Sequence, residues 1–286
     1  MINKYRLQAI LKLTLLHSFL ILVTITCILP LFWMVRTSLM SRETIFLDKS
    51  LIPMPLHFEN YYVAWTEGHF GRYFLNSVIY TVSVVGGIVL ISSWAAYAFS
   101  RLNFPGKKIF FYMFVAAMMI PLPGSFVPLV VLMTNLKFIN SPWPWIRQLG
   151  YILCMINVGL SLSILLLKTF FDNMSSDLED AARIDGCSKW GIWRHVAIPL
   201  ARPAIAVIVI FNSLNVWNEY ILAMLLLDDK SLMPLQRGLM AFQGPHSVDY
   251  HLSMAGLTIA AIPIIVVYLL MQKHIIKGLS SGAVVG

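Results

Sequence analysis

Six stretches of the sequence run for about twenty residues or more with at most one charged side chain each. They are residues 13–35, 73–99, 109–135, 149–168, 203–227 and 252–272. A helix needs roughly 20 apolar residues to cross the hydrocarbon core of a bilayer, and it satisfies its own backbone hydrogen bonds there. The pattern therefore predicts an all-α membrane protein with six transmembrane helices, in a single domain over residues 1–286.

The low charge content excludes several classes of soluble protein. Only 12% of the residues are charged, which is about half the share found in soluble domains. Because so few charges cannot cover a globular surface, a cytosolic enzyme, a disordered scaffold and a nucleic-acid-binding protein are excluded. The three cysteines are too scattered for a disulfide framework.

The positions of lysine and arginine orient the predicted helices. The amino end, the turn after the second helix, the segment after the fourth helix and the carboxyl end together hold 13 of the 21 basic residues. Basic residues are enriched in cytosolic flanks and short cytosolic loops. Both termini are therefore predicted to be cytosolic, and the same bias accounts for much of the net charge of +8.

Residues 175–199, between the fourth and fifth predicted helices, carry the local signals of two short helices. Ser176 followed by Glu179 predicts a capping box at the start of the first one. Gly186 suits the left-handed turn that ends it, and Ser188 predicts the cap of a second helix that stops before Pro199. We therefore expect a helical hairpin that projects into the cytosol.

The first helix of this hairpin has two interpretations. Ala181 and Ala182 leave one face without bulk, which would let the helix enter a groove on another protein. An amphipathic hairpin lying on the membrane surface would show a similar pattern. The residue pattern by itself favours neither interpretation.

Two further features interrupt the apolar pattern inside predicted helices. Pro121, followed by Ser125, lies near the middle of the third helix, where proline predicts either a plain kink or a broken helix beside a transport path. Trp217, Asn218 and Glu219 lie in the fifth helix. A carboxylate inside a membrane needs a partner, so this group is interpreted either as part of a transport pathway or as an interhelical hydrogen bond.

Several of these stretches resemble the permease subunits of ABC importers. Asp180-Ala181-Ala182, Gly186 and the segment 196–199 resemble the EAA loop of that family, whose pattern is Glu-Ala-Ala, a glycine and then Ile-x-Leu-Pro at fixed spacing. The chain keeps the spacing but has Asp180 for the glutamate, Val196 for the isoleucine and Ile198 for the leucine. Other fragments resemble the shorter six-span permease of the maltose-type carbohydrate branch, namely residues 58–61, 97–108, 120–121, 217–219 and 278–286.

The resemblance implies that residues 175–199 contain a coupling helix that docks in a cleft of a cytosolic ATP-binding subunit. Closure of the ATP-binding dimer would then reach the transmembrane helices through this loop. The resemblance assigns Asp180, Ala181, Ala182 and Gly186 to this contact. Together with Glu179, Asp185 and Pro199 they are the candidate coupling residues. Pro121, Ser125, Trp217, Asn218 and Glu219 stay candidates for the translocation path on the grounds of the helix break and the intramembrane carboxylate.

The resemblance further implies the partners of the chain in a bacterial cytoplasmic membrane. They are an ATP-binding subunit dimer that uses ATP and Mg, a second homologous permease that completes a heterodimeric pore, and an extracytoplasmic solute-binding protein that meets the outer loops. The cargo would be a sugar, an oligosaccharide or a related polyol or uronide, moved by alternating access. The chain has no phosphate-binding Gly-x-x-x-x-Gly-Lys-Ser/Thr loop and no His-Glu-x-x-His metal spacing, so we expect no cofactor and no enzymatic activity.

Two functions of other classes are compatible with parts of the sequence. Residues 278–282 match the Gly-x-Ser-x-Gly pattern of serine hydrolases, but they follow no predicted strand and no histidine comes after them. An ion-coupled secondary transporter or channel usually shows intramembrane carboxylates or inverted repeats. This chain has one carboxylate inside a predicted helix and no internal repeat.

Overall fold

The computed structural model describes residues 4–244 and 248–283, which are helical over most of their length. Residues 284–286, the end of the tail that resembles the maltose-type permease, lie outside the described residues. The α-helices of the described chain are α1 Lys4–Ser38, α2 Glu59–Glu67, α3 Phe70–Arg101, α4 Lys107–Ala117, α5 Leu122–Asn135, α6 Pro144–Asp172, α7 Asp177–Ile184, α8 Lys189–Ile192, α9 Ile198–Leu200, α10 Arg202–Asn218, α11 Ile221–Leu226 and α12 Tyr250–Ala283. A π turn covers Trp193–Ala197, and 3₁₀ helices cover Lys230–Leu232 and Leu235–Phe242. Over these same residues, β pairing is limited to a bridge between Gln243 and Val248.

Four of the described helices are each long and apolar enough to cross a membrane. Their apolar parts are Ile10–Ser38, Phe70–Arg101, Pro144–Asp172 and Tyr250–Leu270. The bent pair Lys189–Leu200 and Arg202–Asn218, with an angle of 74° between its halves, is a fifth candidate. The all-α membrane architecture expected from the sequence is thus present, and the count of six spans stays a prediction.

The predicted third transmembrane helix, residues 109–135, is divided into two helices. Helix α4 ends at Ala117, and α5 begins at Leu122 after the extended residue Pro121, which has φ −68° and ψ 127°. Proline lacks the backbone donor that would continue the helix, and it disfavours the α conformation of the residue before it. The backbone therefore has a broken helix at Pro121 rather than a plain kink.

The predicted fifth transmembrane helix, residues 203–227, is also divided. Helix α10 ends at Asn218, Glu219 is extended with φ −72° and ψ 132°, and α11 begins at Ile221. No proline lies at this break. The break is instead stabilised by the carboxylate of Glu219, which accepts hydrogen bonds from backbone N–H groups at the start of α11.

The chain divides into two compact units. The first consists of Met1–Phe70 and Gly238–Ala261, and the second of Gly71–Arg237 and Ile262–Gly286. The second unit contains residues 175–199 and every candidate pathway residue named above.

In the first unit, the segment after α1 folds against the end of that helix. The buried guanidinium of Arg36 donates to the backbone carbonyls of Ser50 at 2.7 Å and Asp48 at 2.8 Å. The hydroxyls of Ser38 and Tyr61 lie 2.6 Å apart. These bonds hold the segment against the end of α1.

In the second unit, the core lies where α3 and α6 pack together. Tyr80 and Tyr151 are fully buried, and their rings meet edge to face with 4.8 Å between centroids. Nearer the end of α6, the buried ring of Phe171 meets Tyr97 of α3 at 5.8 Å. This packing fixes the ends of α3 and α6 beside which the loop of residues 175–199 begins.

Candidate functional site

The loop between α6 and α10 has a defined backbone path. After α7, Gly186 adopts φ +80°, a left-handed conformation that favours glycine. The side chain of Ser188 then accepts a hydrogen bond from the backbone N–H of Gly191 at 3.2 Å and caps α8. The glycine turn and the serine cap predicted from the sequence are both confirmed.

Glu179 of α7 is turned into the protein and faces Arg101 at the end of α3. Its side chain is 3% exposed, and that of Arg101 is 17% exposed. Arg101 Nε and Glu179 Oε1 lie 2.9 Å apart, an ion-pair contact without the angle of a hydrogen bond. Arg183 Nη2 lies 3.8 Å from the other carboxylate oxygen, and Arg101 also donates to the carbonyl of Met174. These contacts join the loop to α3.

The capping box predicted at Ser176 is wrong. The hydroxyl of Ser176 caps nothing, and the backbone N–H of Asp177 instead donates to the hydroxyl of Ser175 at 3.2 Å. The carboxylate of Glu179 does not bond the start of its own helix because it pairs with Arg101. A guanidinium attracts a carboxylate more strongly than a neutral backbone N–H does.

The opposite face of α7 is exposed and partly apolar. Ile184 is 87% exposed, and Leu178 and Ala181 share the exposed surface with it. Asp180 is also exposed and accepts a hydrogen bond from Arg183 at 2.7 Å. Ala182, in contrast, is buried in the chain. Leu178, Ala181 and Ile184 thus give α7 an exposed apolar face, and Ile184 is not among the candidates predicted from the sequence.

The remaining candidate coupling residues lie on either side of α8. Asp185 and Gly186 are exposed at the turn, and no atom lies within 4 Å of the place where a Cβ on Gly186 would be. Pro199 lies in α9 directly after the π turn. Because proline has no N–H, the regular helical hydrogen bonds are interrupted there, and the wider π turn accommodates the change.

Glu219 stabilises the break between α10 and α11. Its carboxylate accepts hydrogen bonds from the backbone N–H groups of Leu222 at 2.6 Å and Ala223 at 3.1 Å, which are unpaired donors at the start of α11. The hydroxyl of Tyr151 in α6 donates to the same carboxylate at 3.2 Å. Glu219 therefore ends one helix, caps the next and joins both to α6.

The same carboxylate borders a cavity of about 490 Å³ between α5, α6, α10 and α11. Among the described residues that line it, those with polar side chains are Asn212, Asn215 and Glu219, from α10 and the break. The two asparagines were not predicted from the sequence, because single amides in an apolar run resemble ordinary helix contacts. The cavity is large enough for a sugar ring with several waters.

The other candidate pathway residues of α10 do not line this cavity. Trp217 is buried, meets Phe74 edge to face at 5.6 Å and borders a different cavity of about 130 Å³. Asn218 is exposed, and its amide donates to the carbonyl of Leu214 at 2.9 Å. The structure therefore separates Trp217 and Glu219, which the sequence placed in one group.

The candidates from the third predicted helix lie at the start of α5. Pro121 is exposed at the break, and Ser125 is half-buried in the first turn of the helix. Neither borders the cavity beside Glu219, but the next residue, Phe126, does. The break at Pro121 therefore positions the start of α5 near the cavity.

A close polar contact joins α6 to α10 beside the cavity. The amide of Asn212 donates to the hydroxyl of Ser163 at 3.1 Å, and Ser163 donates to the carbonyl of Gly159 at 2.7 Å. A Cβ on Gly159 would lie 2.3 Å from Asn212 Oδ1 and 2.5 Å from a methyl group of Ile88. Glycine is therefore required at this position by the close approach of the helices.

The segment after α11 is held by charged and polar contacts. Arg147 Nη1 lies 2.8 Å from the carboxylate of Asp228. The backbone N–H of Ser231 donates to the carboxylate of Asp229 at 2.8 Å and lowers the pKa of that carboxyl. The amide of Asn76 donates to the carbonyl of Ser231 at 2.9 Å. This segment is one of the two that the sequence predicts to face the solute-binding protein.

The acidic side chains of the described residues do not form a metal site. Among the described residues, no group of three or more histidine, cysteine, aspartate or glutamate side chains is placed to hold a metal ion. Glu179 and Asp180 of the loop are paired with arginine, and Glu219 is bonded to backbone N–H groups. The polar groups of these sites thus serve contacts within the chain.

These features define a multi-pass membrane protein with a structured loop between two of its apolar helices. Comparison with known families agrees with that class. The chain matches the family described as "Binding-protein-dependent transport system inner membrane component" over residues 87–281, and it belongs to that family. It is therefore a permease component of a transport system.

Individual relatives cover nearly the whole chain. A probable ABC transporter permease protein of Bacillus subtilis, YurM, is 35% identical over 94% of this chain and 87% of its own length. A diacetylchitobiose uptake system permease protein of Streptomyces coelicolor, NgcG, is 32% identical over 93% of this chain and 87% of its own. A polygalacturonan/rhamnogalacturonan transport system permease protein of B. subtilis, YtcP, is 30% identical over 95% of this chain and 97% of its own length.

A solved structure has the same fold. It is the crystal structure of a bacterial ABC transporter involved in the import of the acidic polysaccharide alginate, and one of its chains is similar with a TM-score of 0.79. The two chains are 24% identical, and the match covers 96% of this chain and 98% of the other. The all-α permease architecture expected from the sequence is thereby confirmed.

Proposed function

We propose that this chain is one permease subunit of an ATP-driven importer that carries a sugar or oligosaccharide, or a related polyol or uronide, across a bacterial cytoplasmic membrane by alternating access. The named cargoes of relatives, diacetylchitobiose and polygalacturonan or rhamnogalacturonan among them, support this class of cargo. The mechanism rests on one observation. Helix α7 exposes Ile184 while Arg101 holds its other face through Glu179.

In this mechanism α7 is the coupling helix. Its exposed face, with Leu178, Ala181 and Ile184, docks in a cleft of the ATP-binding subunit, and Asp180 and Asp185 lie at the edges of the contact. A helix that lays apolar side chains at this spacing into a groove is a common mode of protein recognition. ATP binding would favour the outward-open state, and hydrolysis would reset it.

The contacts inside the chain determine how the movement of α7 spreads. Glu179 and Arg101 would carry it to α3, and the ends of the loop would carry it to α6 and α10. Ala182 packs inward beside Glu179 and therefore serves the attachment rather than the docked face. Gly186 sets the direction of the turn, and Pro199 sets the direction in which α10 leaves the loop.

The partners of the chain and its orientation in the membrane are part of the same proposal. The chain forms a single membrane domain over residues 1–286 with six spans, and both termini and residues 175–199 face the cytosol. The ATP-binding subunit dimer uses ATP and Mg, and a second homologous permease completes a heterodimeric pore. The segments after α1 and after α11 face a solute-binding protein.

The cavity beside Glu219 is proposed as this subunit's contribution to the sugar path. Asn212 and Asn215 offer amide groups for sugar hydroxyls, and the carboxylate of Glu219 offers a further acceptor. Trp217 and Asn218 would act on the path indirectly through the position of Glu219. Pro121 and Ser125 would act indirectly as well, by setting the start of α5 at the cavity wall.

The docking of α7 is tested by Ile184→Asp in a tagged permease purified with its ATP-binding subunit. A carboxylate in an apolar cleft costs several kcal/mol, so we expect the retained ATP-binding subunit to fall at least about tenfold, with membrane insertion unchanged. Phe46→Asp, at another strongly exposed apolar position after α1, is the matched control and should retain the subunit. Full retention in Ile184→Asp would contradict the docking proposal.

The class of cargo is tested on the solute-binding protein encoded beside the permease. A bound ligand raises the melting temperature of the protein that binds it. We expect a neutral or acidic oligosaccharide to raise it, and amino acids or inorganic ions to leave it unchanged. A rise with an amino acid and none with any sugar would contradict the cargo class while leaving the coupling of α7 intact.

A further inference from the structure

Three tryptophan side chains meet where α3 passes the loop between α6 and α10. The ring of Trp94 lies 5.8 Å from that of Trp190 and 5.9 Å from that of Trp193, and the latter two lie 4.6 Å apart. Together with Leu90, Arg194 and Ile198 they line a groove of about 300 Å³. We call this set of residues the tryptophan groove.

The polar groups of the tryptophan groove are not satisfied by the rest of the described chain. The indole N–H of Trp193 is shielded from solvent and has no hydrogen-bond acceptor. Arg194 is exposed and makes no ion pair with any described carboxylate, although the arginines at 101 and 183 do. A shielded donor without an acceptor calls for an explanation, and an oxyanion in the groove would supply one for both groups.

The position of the groove indicates the environment of that oxyanion. Trp94 lies seven residues before the end of α3, about 10 Å along the helix, within the predicted transmembrane segment 73–99. Trp94 and Trp190 are 42% and 54% exposed. Indole rings prefer the membrane–water interface. A groove that is lined by exposed indoles and an arginine therefore suits the headgroup level of a bilayer.

We propose that the tryptophan groove binds the headgroup region of an anionic phospholipid. The guanidinium of Arg194 pairs with the phosphate, and the indole N–H of Trp193 donates to a phosphate or ester oxygen after a small movement of the rings. Leu90 and Ile198 contact the start of an acyl chain. The choice of an anionic lipid rests on the proposed orientation, because the cytosolic leaflet attracts basic residues through such lipids.

A soluble protein fits the groove less well. Leu90 and Trp94 lie in a segment predicted to be inside the membrane, whereas the face proposed to dock the ATP-binding subunit is that of Ile184, before the turn at Gly186. The lipid would instead contact α3 and the loop together. The position of the coupling helix would then depend on the lipid composition of the membrane.

The proposal is tested by native mass spectrometry of the intact permease–ATPase complex in detergent with added phosphatidylglycerol or phosphatidylcholine. We expect one phosphatidylglycerol to be retained in preference to phosphatidylcholine. Arg194→Gln and Trp193→Phe should each lower the apparent affinity by about fivefold or more, and Arg194→Lys should keep most of it. Arg202→Gln and Trp145→Phe change exposed residues of the same types elsewhere and should change nothing.

Three results would overturn the proposal. The first is equal retention of the two lipids, and the second is wild-type retention of phosphatidylglycerol by both groove variants. The third is displacement of phosphatidylglycerol by excess inorganic phosphate, which would make the groove a site for a small anion. Loss of the ATP-binding subunit in Trp193→Phe with unchanged lipid retention would instead assign the groove to that subunit. Ile184→Asp separates the two proposals, because it should release the ATP-binding subunit and keep the lipid.

Discussion

The loop between α6 and α10 and the break between α10 and α11 each hold a glutamate, but with different kinds of partner. Glu179 in the loop faces the guanidinium of Arg101 at 2.9 Å, on a helix remote in the sequence. Glu219 at the break accepts from the backbone N–H groups of Leu222 and Ala223 at 2.6 and 3.1 Å, a few residues further along. The first contact joins two separate elements, and the second fixes a local bend.

The difference indicates what each position requires. A carboxylate opposite a guanidinium needs its charge, because the partner charge is otherwise left unpaired. A carboxylate that caps a helix mainly needs acceptor atoms, because its partners are neutral N–H groups. Charge should therefore matter more at position 179 than at position 219.

Arg101→Met should have the largest effect, because it leaves the buried Glu179 without its main partner. Removing one member of a buried ion pair costs about 3–5 kcal/mol, and Arg183, at 3.8 Å, replaces only part of the loss. We expect amide hydrogen exchange over α7 to be at least about tenfold faster and uptake by the reconstituted importer to be lost.

The charge swap is the control for that prediction. Arg101→Glu and Glu179→Arg should each resemble Arg101→Met, and the double variant should recover part of the protection and part of the uptake. Recovery should be incomplete because Arg183 would repel an arginine at position 179. Wild-type uptake by either single variant would show that the ion pair does not carry the coupling.

Glu219→Ala should have the next largest effect, since it leaves the N–H groups of Leu222 and Ala223 unpaired. We expect a loss of about 2–3 kcal/mol, measured as a lower thermal unfolding temperature in detergent. Glu219→Gln keeps an acceptor and should cost about 1 kcal/mol. If the glutamine variant were as unstable as the alanine variant, charge would matter at both sites and the contrast would disappear.

Gly159→Ala should destabilise the contact of α6 with α10 by about 1–3 kcal/mol. The added methyl group would lie 2.3 Å from the amide oxygen of Asn212. Gly86→Ala is the matched control, because nothing lies within 4 Å of its Cβ position and alanine favours helix there. The thermal unfolding temperatures of the two variants are compared. Equal temperatures would contradict the close approach of α6 and α10 at Gly159.

Ser188→Ala should have the smallest of these effects. It removes the cap of α8, which is worth about 1 kcal/mol, and should speed amide exchange at Gly191. Ser176→Ala should leave the exchange of α7 unchanged, since the hydroxyl of Ser176 caps nothing. If amide exchange of α7 were faster in Ser176→Ala, the hydroxyl of Ser176 would cap the helix, and the pair of Glu179 and Arg101 would not have replaced the capping box.

Local signals in the sequence predicted the local parts of this structure. The left-handed turn at Gly186 and the cap at Ser188 depend on neighbouring residues only, and both are present. The break at Pro121 is likewise a direct consequence of proline chemistry. The charge distribution and the apolar stretches also indicated the correct class of protein.

Contacts between distant residues could not be read in the same way. The capping box failed because Arg101, remote in sequence, attracts Glu179 more strongly than the start of α7 does. Ile184 was missed because an apolar residue on a short helix does not reveal whether it faces inward. Trp217 and Glu219 are near neighbours in sequence, yet the break between α10 and α11 directs them to different cavities.

The most direct test of whether α7 docks in the ATP-binding subunit labels a native cysteine that lies beside this helix. Cys187 is exposed directly after the turn, whereas Cys154 is buried and Cys27 lies in the apolar helix α1. A charged, membrane-impermeant maleimide should label Cys187 only from the cytosolic side, and bound ATP-binding subunits should slow the labelling several-fold. Labelling of Cys187 from the outer side would contradict the proposed orientation. An equal labelling rate with and without the ATP-binding subunits, in a complex that still transports its cargo, would contradict the docking of α7.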